Sequence, residues 1–570
     1  MAVCAAGLTA CSPVSLVVRG STVSVASAQA FTSFNDQTTF GNTAANTSIA
    51  GAVTSGFTYY DDTPALVPDE SFGHFEIVAQ NPFTVTYTVN EGVTWSDGQP
   101  VDGADLLLAW AANSGHLNTE GFDPARYVNS ETGLFEPFPE DIVFFDGAEH
   151  SGLQKVSAMP RLGDDGRSIT LIYDEFFVDW QLAFDVGLAA HVVADQAVAV
   201  KATDDQSAAK VAKQLVIDAI TGAEPQQLAA LAQAWNSGFT VEAGGAFIGS
   251  GPYSIEQVVP NESVTLTANP LYTGKRQPRY ETVVVRTITD PLEAVKALAD
   301  GEVDVIAPSP STDVTSALEA IPSIEVATVN SGMFEHLDLQ FSAGKNGTFD
   351  DPLLRHAFLA TVPVAEIAAL SGGEARASFL FAPDGSATPP RPDVQAAKQL
   401  IEQAGATAPA VCILFDPSNP RRLAEFELVQ ASAQEAGFVV SNCSASDWED
   451  FLGVPLAYDA ALFAWNETTT AVSAPEARLL STSSVSNFSN YASATVDRLL
   501  AELAVEDDPN QQQSLLEQID TQLALDGYGM PLYQFPTIVA HNSAVDGVSV
   551  SPISGLLWNV WQWHPTSASQ

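Results

Sequence analysis

Strand and helix patterns alternate along the chain. Thr84-Val85-Thr86-Tyr87-Thr88-Val89 sets hydroxyl-bearing positions against apolar ones at period two, which predicts a half-buried strand, and Asn90-Glu91-Gly92 turns it. Glu281 to Ile288 is a β-branched run. Asp290-Pro291 then supplies an N-cap and a proline at the first helical position, Leu292, Val295 and Leu298 share a helix face, Gly301 stops it, and Val303 to Ile306 begins another strand. Residues 281–306 therefore read as a βαβ unit. Residues 200–236, rich in Ala and Gln with Leu228, Leu231 and Trp235 at helical spacing, predict a helical insertion, and the four prolines between Pro383 and Pro392 predict a loop. Further helices are expected over Val394 to Ala404, Arg421 to Ala436, Ala494 to Val505 and Gln511 to Leu525. No repeat of 20–50 residues is visible. The alternation makes this an α/β protein.

At 570 residues the chain is long enough for about three or four core-forming units. Apolar residues make up 46%, which favours a folded chain over a disordered one. A formal charge of −47 would repel phosphate backbones and anionic headgroups, so nucleic acid is excluded as an expected partner. No stretch of 18 consecutive apolar residues suggests a membrane span.

Cys4 and Cys11 lie at the start of the chain, Cys412 and Cys443 far from it. Cys412 sits in the apolar run Ala410 to Phe415, and Cys443 closes the run Gly437 to Cys443, with a helical segment between. That order places two strands parallel and adjacent, within reach of a disulfide if the registers agree; two buried thiols are the other reading. Neither spacing matches a zinc site.

The start, ending Leu8-Thr9-Ala10-Cys11, resembles the lipobox of a bacterial lipoprotein, which implies diacylglyceryl modification of Cys11 after cleavage and a lipid anchor on the outer face of the cytoplasmic membrane. No Lys or Arg precedes the motif, which departs from an ordinary signal and suggests a start further upstream. Residues 12–30 then read as a tether.

Residues Val93-Thr94-Trp95-Ser96-Asp97-Gly98-Gln99-Pro100-Val101-Asp102-Gly103-Ala104-Asp105, running into the apolar stretch Leu106 to Trp110, read physically as a strand end, a turn and a helix capped by Asp102. Their order resembles the signature of the family 5 extracellular solute-binding proteins, the peptide, dipeptide and nickel receptors of ABC importers. Gly249-Ser250-Gly251-Pro252-Tyr253, Asn269-Pro270-Leu271-Tyr272, Phe349-Asp350-Asp351-Pro352-Leu353-Leu354-Arg355-His356-Ala357, Tyr458-Asp459-Ala460 and Met530-Pro531-Leu532-Tyr533 continue the resemblance in order.

The resemblance implies a two-lobed periplasmic-binding-protein-like fold of type II, hinged between lobes, with a subdomain inserted in lobe I. Mapped onto this chain, lobe I takes 20–60, 168–307 and 531–570, the insertion 61–167, and lobe II 308–530. It implies a monomeric receptor without cofactor, holding a peptide or peptide-like ligand in the interlobe cleft and delivering it to ABC permease subunits. By the same resemblance Thr39, Phe40 and Gly41 in one lobe and Phe334 and Glu335 in the other are strand edges for the ligand backbone, although Phe40 and Phe334 fit a core role equally. Trp465-Asn466-Glu467 resembles the place where the family follows a tryptophan with an acid for the ligand amine; here the usual Asp-Pro is replaced by Glu467-Thr468-Thr469-Thr470. Tyr491 resembles a cleft aromatic.

Enzyme signatures are missing from the sequence: no Gly-x-Ser-x-Gly elbow, no His-Glu-x-x-His, no phosphate loop. Adjacent acids such as Asp61-Asp62 and Asp164-Asp165 are ordinary surface pairs in so acidic a chain. The eight histidines, His74, His116, His336 and His356 among them, show no i, i+3 or i+4 pairing for a metal. A receptor for a nickel chelate, haem or oligosaccharide stays open as the alternative to a peptide receptor.

Overall fold

A computed structural model describes the chain except for residues 1–15, 62–64, 130–131, 148–151, 200–204, 245–246, 372, 377, 381–390, 467–469, 483–485, 552–554 and 567–570. Its backbone is one long mixed sheet. From one edge the strands run Val439–Asn442, Ala410–Leu414, Ala460–Asn466, Ile324–Leu339, Gly529–Asn542, Val305–Ile306, Val18–Ser27, Tyr280–Thr287, Ser263–Ala268 and Tyr253–Val259, with Glu374–Ala375 pairing onto Gly529–Asn542.

The two longest strands hold the sheet together. Ile324–Asn330 pairs antiparallel with Pro536–Asn542 beside the first-half strands, and Phe334–Asp338 pairs with Gly529–Gln534 beside the second-half strands. The register breaks between Asn330 and Phe334, which is the sheet's midpoint. A separate apolar core lies on each side. Val23, Trp110, Trp235 and Trp563 belong to the first, Leu337, Ile413, Phe426 and Phe438 to the second. Leu479, Tyr491, Leu500, Ile519 and Tyr528 form a smaller cluster of their own.

The alternating segment forms the strand Phe83–Val89, in a separate sheet ordered Gly73–Gln80, Phe83–Val89, Ser168–Ile172, Arg161–Leu162. The inserted unit therefore reaches past 167, because Ile169 and Leu171 pair with Tyr87 and Val85 there. The βαβ unit exists, but Val18–Ser27 lies between its two strands, parallel to both. This corrects the tether expected over 12–30 for its described part: Val23 and Val25 alternate with Thr22 and Ser24 and are buried, so Val18–Ser27 is an interior strand. The helical insertion comprises Asp205–Gly222 and Pro225–Ser237. Ala410–Leu414 and Val439–Asn442 are parallel neighbours, and Cys412 and Cys443 are joined.

The signature segment is scaffold. Gly103–Asn113 is a helix buried along its whole length. Asp102 and Asp105 form a reciprocal capping box. Asp105 also accepts the Ala190 amide at 2.8 Å and pairs with Lys213 Nζ at 2.9 Å, while Lys213 reaches Asp102 at 3.1 Å. Among the described residues no single helix is long and apolar enough to cross a membrane.

Candidate functional site

Strand alternation sends Phe334, His336 and Asp338 to one face and Glu335, Leu337 and Leu339 to the other. The pairing Phe334↔Trp465 brings Trp465, at the end of Ala460–Asn466, beside the first set. Trp465 is half-buried, and its ring runs nearly parallel to those of His336 and Phe488, with centroids 5.6 Å away in each case. His336 Nδ1 meets Asp338 Oδ1 at 2.6 Å, an orientation that leaves Nε2 buried with no hydrogen-bond partner. Two cations complete the group. Arg376 lies 3.9 Å from the Phe334 ring centroid; Arg478 lies 5.5 Å from it and 5.8 Å from that of Trp465. Both guanidinium groups also donate to the Phe379 carbonyl. The result is an aromatic wall backed by positive charge, in which Phe334 and His336 are fully buried and Trp465 keeps part of its surface exposed.

Phe334 and Glu335 are not a free edge. Each is flanked on both sides, by Trp465 and Ala464 and by Gln534 and Tyr533, and both side chains are 0% exposed. Glu335 faces the opposite layer, where it pairs with Arg421 at 3.2 Å and Arg422 at 2.9 Å. Arg421 also bonds Glu425 at 2.6 Å, and Tyr533 donates to Glu425 at 2.7 Å. Burial, with the Glu335 charge adding to it, pushes the Glu425 carboxyl up to about 7. This is a structural ion cluster under the sheet. Its signal in sequence was an acid at an inward position of an apolar strand, which demands buried cations.

Thr39, Phe40 and Gly41 form a turn and not a strand. Thr39 gives its amide and hydroxyl to Asp146, each at 2.8 Å, and the Gly41 carbonyl accepts from Asn46, so both are held within their own half. Phe40 stays half-buried beside Gly133. In the same loop, burial raises the Asp36 carboxyl to about 6. Tyr491 is 1% exposed and donates to Asp526 at 2.5 Å among Phe341 and Tyr528, which makes it a core residue. Glu467 and Cys11 lie outside the described residues. Of the expected ligand contacts, Trp465 and Phe334 come together; Thr39 to Gly41 and Tyr491 belong to other surroundings. Sequence reasoning missed His336, Arg376 and Arg478, whose spacing of 40 and 102 residues leaves no local pattern.

The profile described as bacterial extracellular solute-binding proteins, family 5 middle, matches residues 76–487. The chain belongs to this family. It is 26% identical over 559 residues to an uncharacterized lipoprotein of Mycobacterium tuberculosis, covering 94% of this chain and 91% of that protein. It is 21% identical to the oligopeptide-binding protein OppA of Mycobacterium bovis, over 87% of this chain and 76% of that one. Among solved structures, the periplasmic EDTA-binding protein EppA superposes with a TM-score of 0.77 at 19% identity, covering 97% of this chain and 98% of its own. The oligopeptide-binding protein AppA of Bacillus subtilis, in complex with a nonapeptide, gives 0.68 at 17% identity over 96% and 99%. NikZ of Campylobacter jejuni, in complex with Ni(L-His), gives 0.71 at 14% identity over 95% and 99%. These likenesses establish the periplasmic-binding-protein fold, and the family is that of ABC-transporter solute receptors, not enzymes.

Proposed function

We propose that this chain is a lipid-anchored receptor that captures a peptide or peptide-like solute between its two halves and hands it to a membrane permease. The single observation that carries the reading is Trp465, the half-buried ring at the end of Ala460–Asn466 where the aromatic wall keeps exposed surface. Aromatic faces take side chains of many kinds. The paired strands Ile324–Leu339 and Gly529–Asn542, with their register break at the midpoint, serve as the hinge, so that ligand binding selects the closed arrangement. No bond is made or broken in the solute.

The likeness to the EDTA-binding protein EppA and to NikZ in complex with Ni(L-His) favours a second reading, a metal chelate. Native mass spectrometry of the purified protein, followed by denaturing release, separates the two. A released peptide pool, with a melting temperature that climbs as a peptide mixture is titrated in, supports the first reading. Release of a metal chelate with no shift from peptides refutes it. The anchor is tested separately: Cys11→Ser is expected to move the protein out of the membrane fraction, and its retention there would count against lipidation.

A further inference from the structure

Beyond the paired strands, the two halves also meet at Asp179. Asp179 lies between Phe177 and Ala183 of the first core, just before the short helix Trp180–Ala183, yet its carboxylate does not cap that helix. It reaches the second half instead. Oδ1 accepts the Val472 amide at 2.8 Å, and Oδ2 accepts the Ser473 amide at 2.8 Å and the Ser473 hydroxyl at 2.6 Å. At 8% exposed it is largely out of water, where an ionised acceptor with three donors is strongly held. Two further bonds cross at the same seam: the Val178 amide donates to the Ala504 carbonyl at 2.8 Å, and Thr470 donates through its amide and hydroxyl to Tyr60 Oη at 3.4 and 3.3 Å.

Residues 470–473 follow the strand that ends at Trp465 and Asn466. The segment that follows the aromatic wall is thus tied to the opposite half by a carboxylate. We propose that Asp179 is a positioning residue for solute capture: by binding the Val472 and Ser473 donors it holds the closed arrangement and sets how slowly a captured solute leaves. This rests on the receptor reading for its consequence, though the closure itself does not need a known solute. Carboxylate chemistry is required. An amide in its place keeps the shape but turns one acceptor into a donor that faces an N–H.

The test compares wild type with Asp179→Asn and Ser473→Ala. Hydrogen exchange of the ligand-free proteins is read at Val472 and Ser473, which touch the carboxylate, and at Val178 and Thr470, whose donors do not. Asp179→Asn is expected to speed exchange at all four by about tenfold or more, and Ser473→Ala by less, with the melting temperature of each half nearly unchanged. A gain confined to Val472 and Ser473 would make Asp179 a local loop cap and overturn the proposal. A fluorescein-labelled nonapeptide pool supplies the second readout. Its dissociation rate is expected to rise about tenfold in Asp179→Asn while association stays within about twofold, a split that a misfolded fraction would not give. Equal dissociation rates would also overturn it. A pool that fails to bind even wild type would refute the peptide reading and leave the exchange result to decide closure.

Discussion

Replacing Lys213 by methionine removes the only cation among the described residues paired with Asp105, a carboxylate that is 0% exposed. Lys213 Nζ lies 2.9 Å from Asp105, 3.1 Å from Asp102 and 2.6 Å from the Pro100 carbonyl, and it is itself buried. Methionine fills the stem's volume, so packing changes little and the electrostatic loss dominates. Two neighbouring carboxylates then stand without their counter-charge, the situation that costs about 3–5 kcal/mol when one partner of a buried pair is deleted. At roughly 2 °C per kcal/mol for a lobe of about 250 residues, the melting temperature falls by roughly 6–10 °C. The Lys213 pKa moves upward on balance: burial opposes the shift, and the Asp105 and Asp102 charges outweigh it. Its contribution is therefore complete at neutral pH and is lost only as pH rises through that elevated value. Differential scanning calorimetry at pH 7 is the assay, with Asp105→Asn/Lys213→Met alongside. The double variant should melt above Lys213→Met, since it carries one buried charge fewer. A single variant melting within about 1 °C of wild type, as a surface substitution would, refutes the reasoning.

Three further outcomes are expected. Trp465→Ala should weaken peptide binding by roughly tenfold or more with little change in far-UV circular dichroism, measured by titration calorimetry; unchanged affinity would remove Trp465 from the site. Glu425 has a folded pKa of about 7 against an ordinary 4.5, so its contribution is complete below about 4.5 and is lost as pH rises through 7. Wild type should then lose melting temperature between pH 5 and 8 more steeply than Glu425→Gln, and parallel profiles would contradict this. Reducing the Cys412–Cys443 bond, which closes a sequence separation of 31, should cost about 3–4 kcal/mol in denaturant titrations, and an unchanged midpoint under reductant would argue against it.

Local order was legible wherever short-range physics decides it. The period-two run at Thr84 to Val89, the Asp290-Pro291 start and the Asp102 cap all became the elements their side chains specify. The strand, helix, strand run between the cysteines gave parallel neighbours because a right-handed crossover returns the chain beside its first strand. The ordered motifs carried the family. The Ser-Val-Ala stretch misread as a tether did show its alternation at Val23 and Val25, but its small polar residues hid how central it is.

The sequence by itself determined most of the local elements, their capping and the receptor class, because each rests on residues a few positions apart. Only the tertiary structure decided which partners those elements meet. It paired Asp105 with Lys213 across 108 residues, turned Glu335 inward onto Arg421 and Arg422, buried Tyr491, and set Asp179 against Ser473 from 294 residues away. The reason is physical. A buried charge needs a partner, but the cost of desolvation is the same whichever part of the chain supplies it, so sequence announces the need and the fold alone selects the donor.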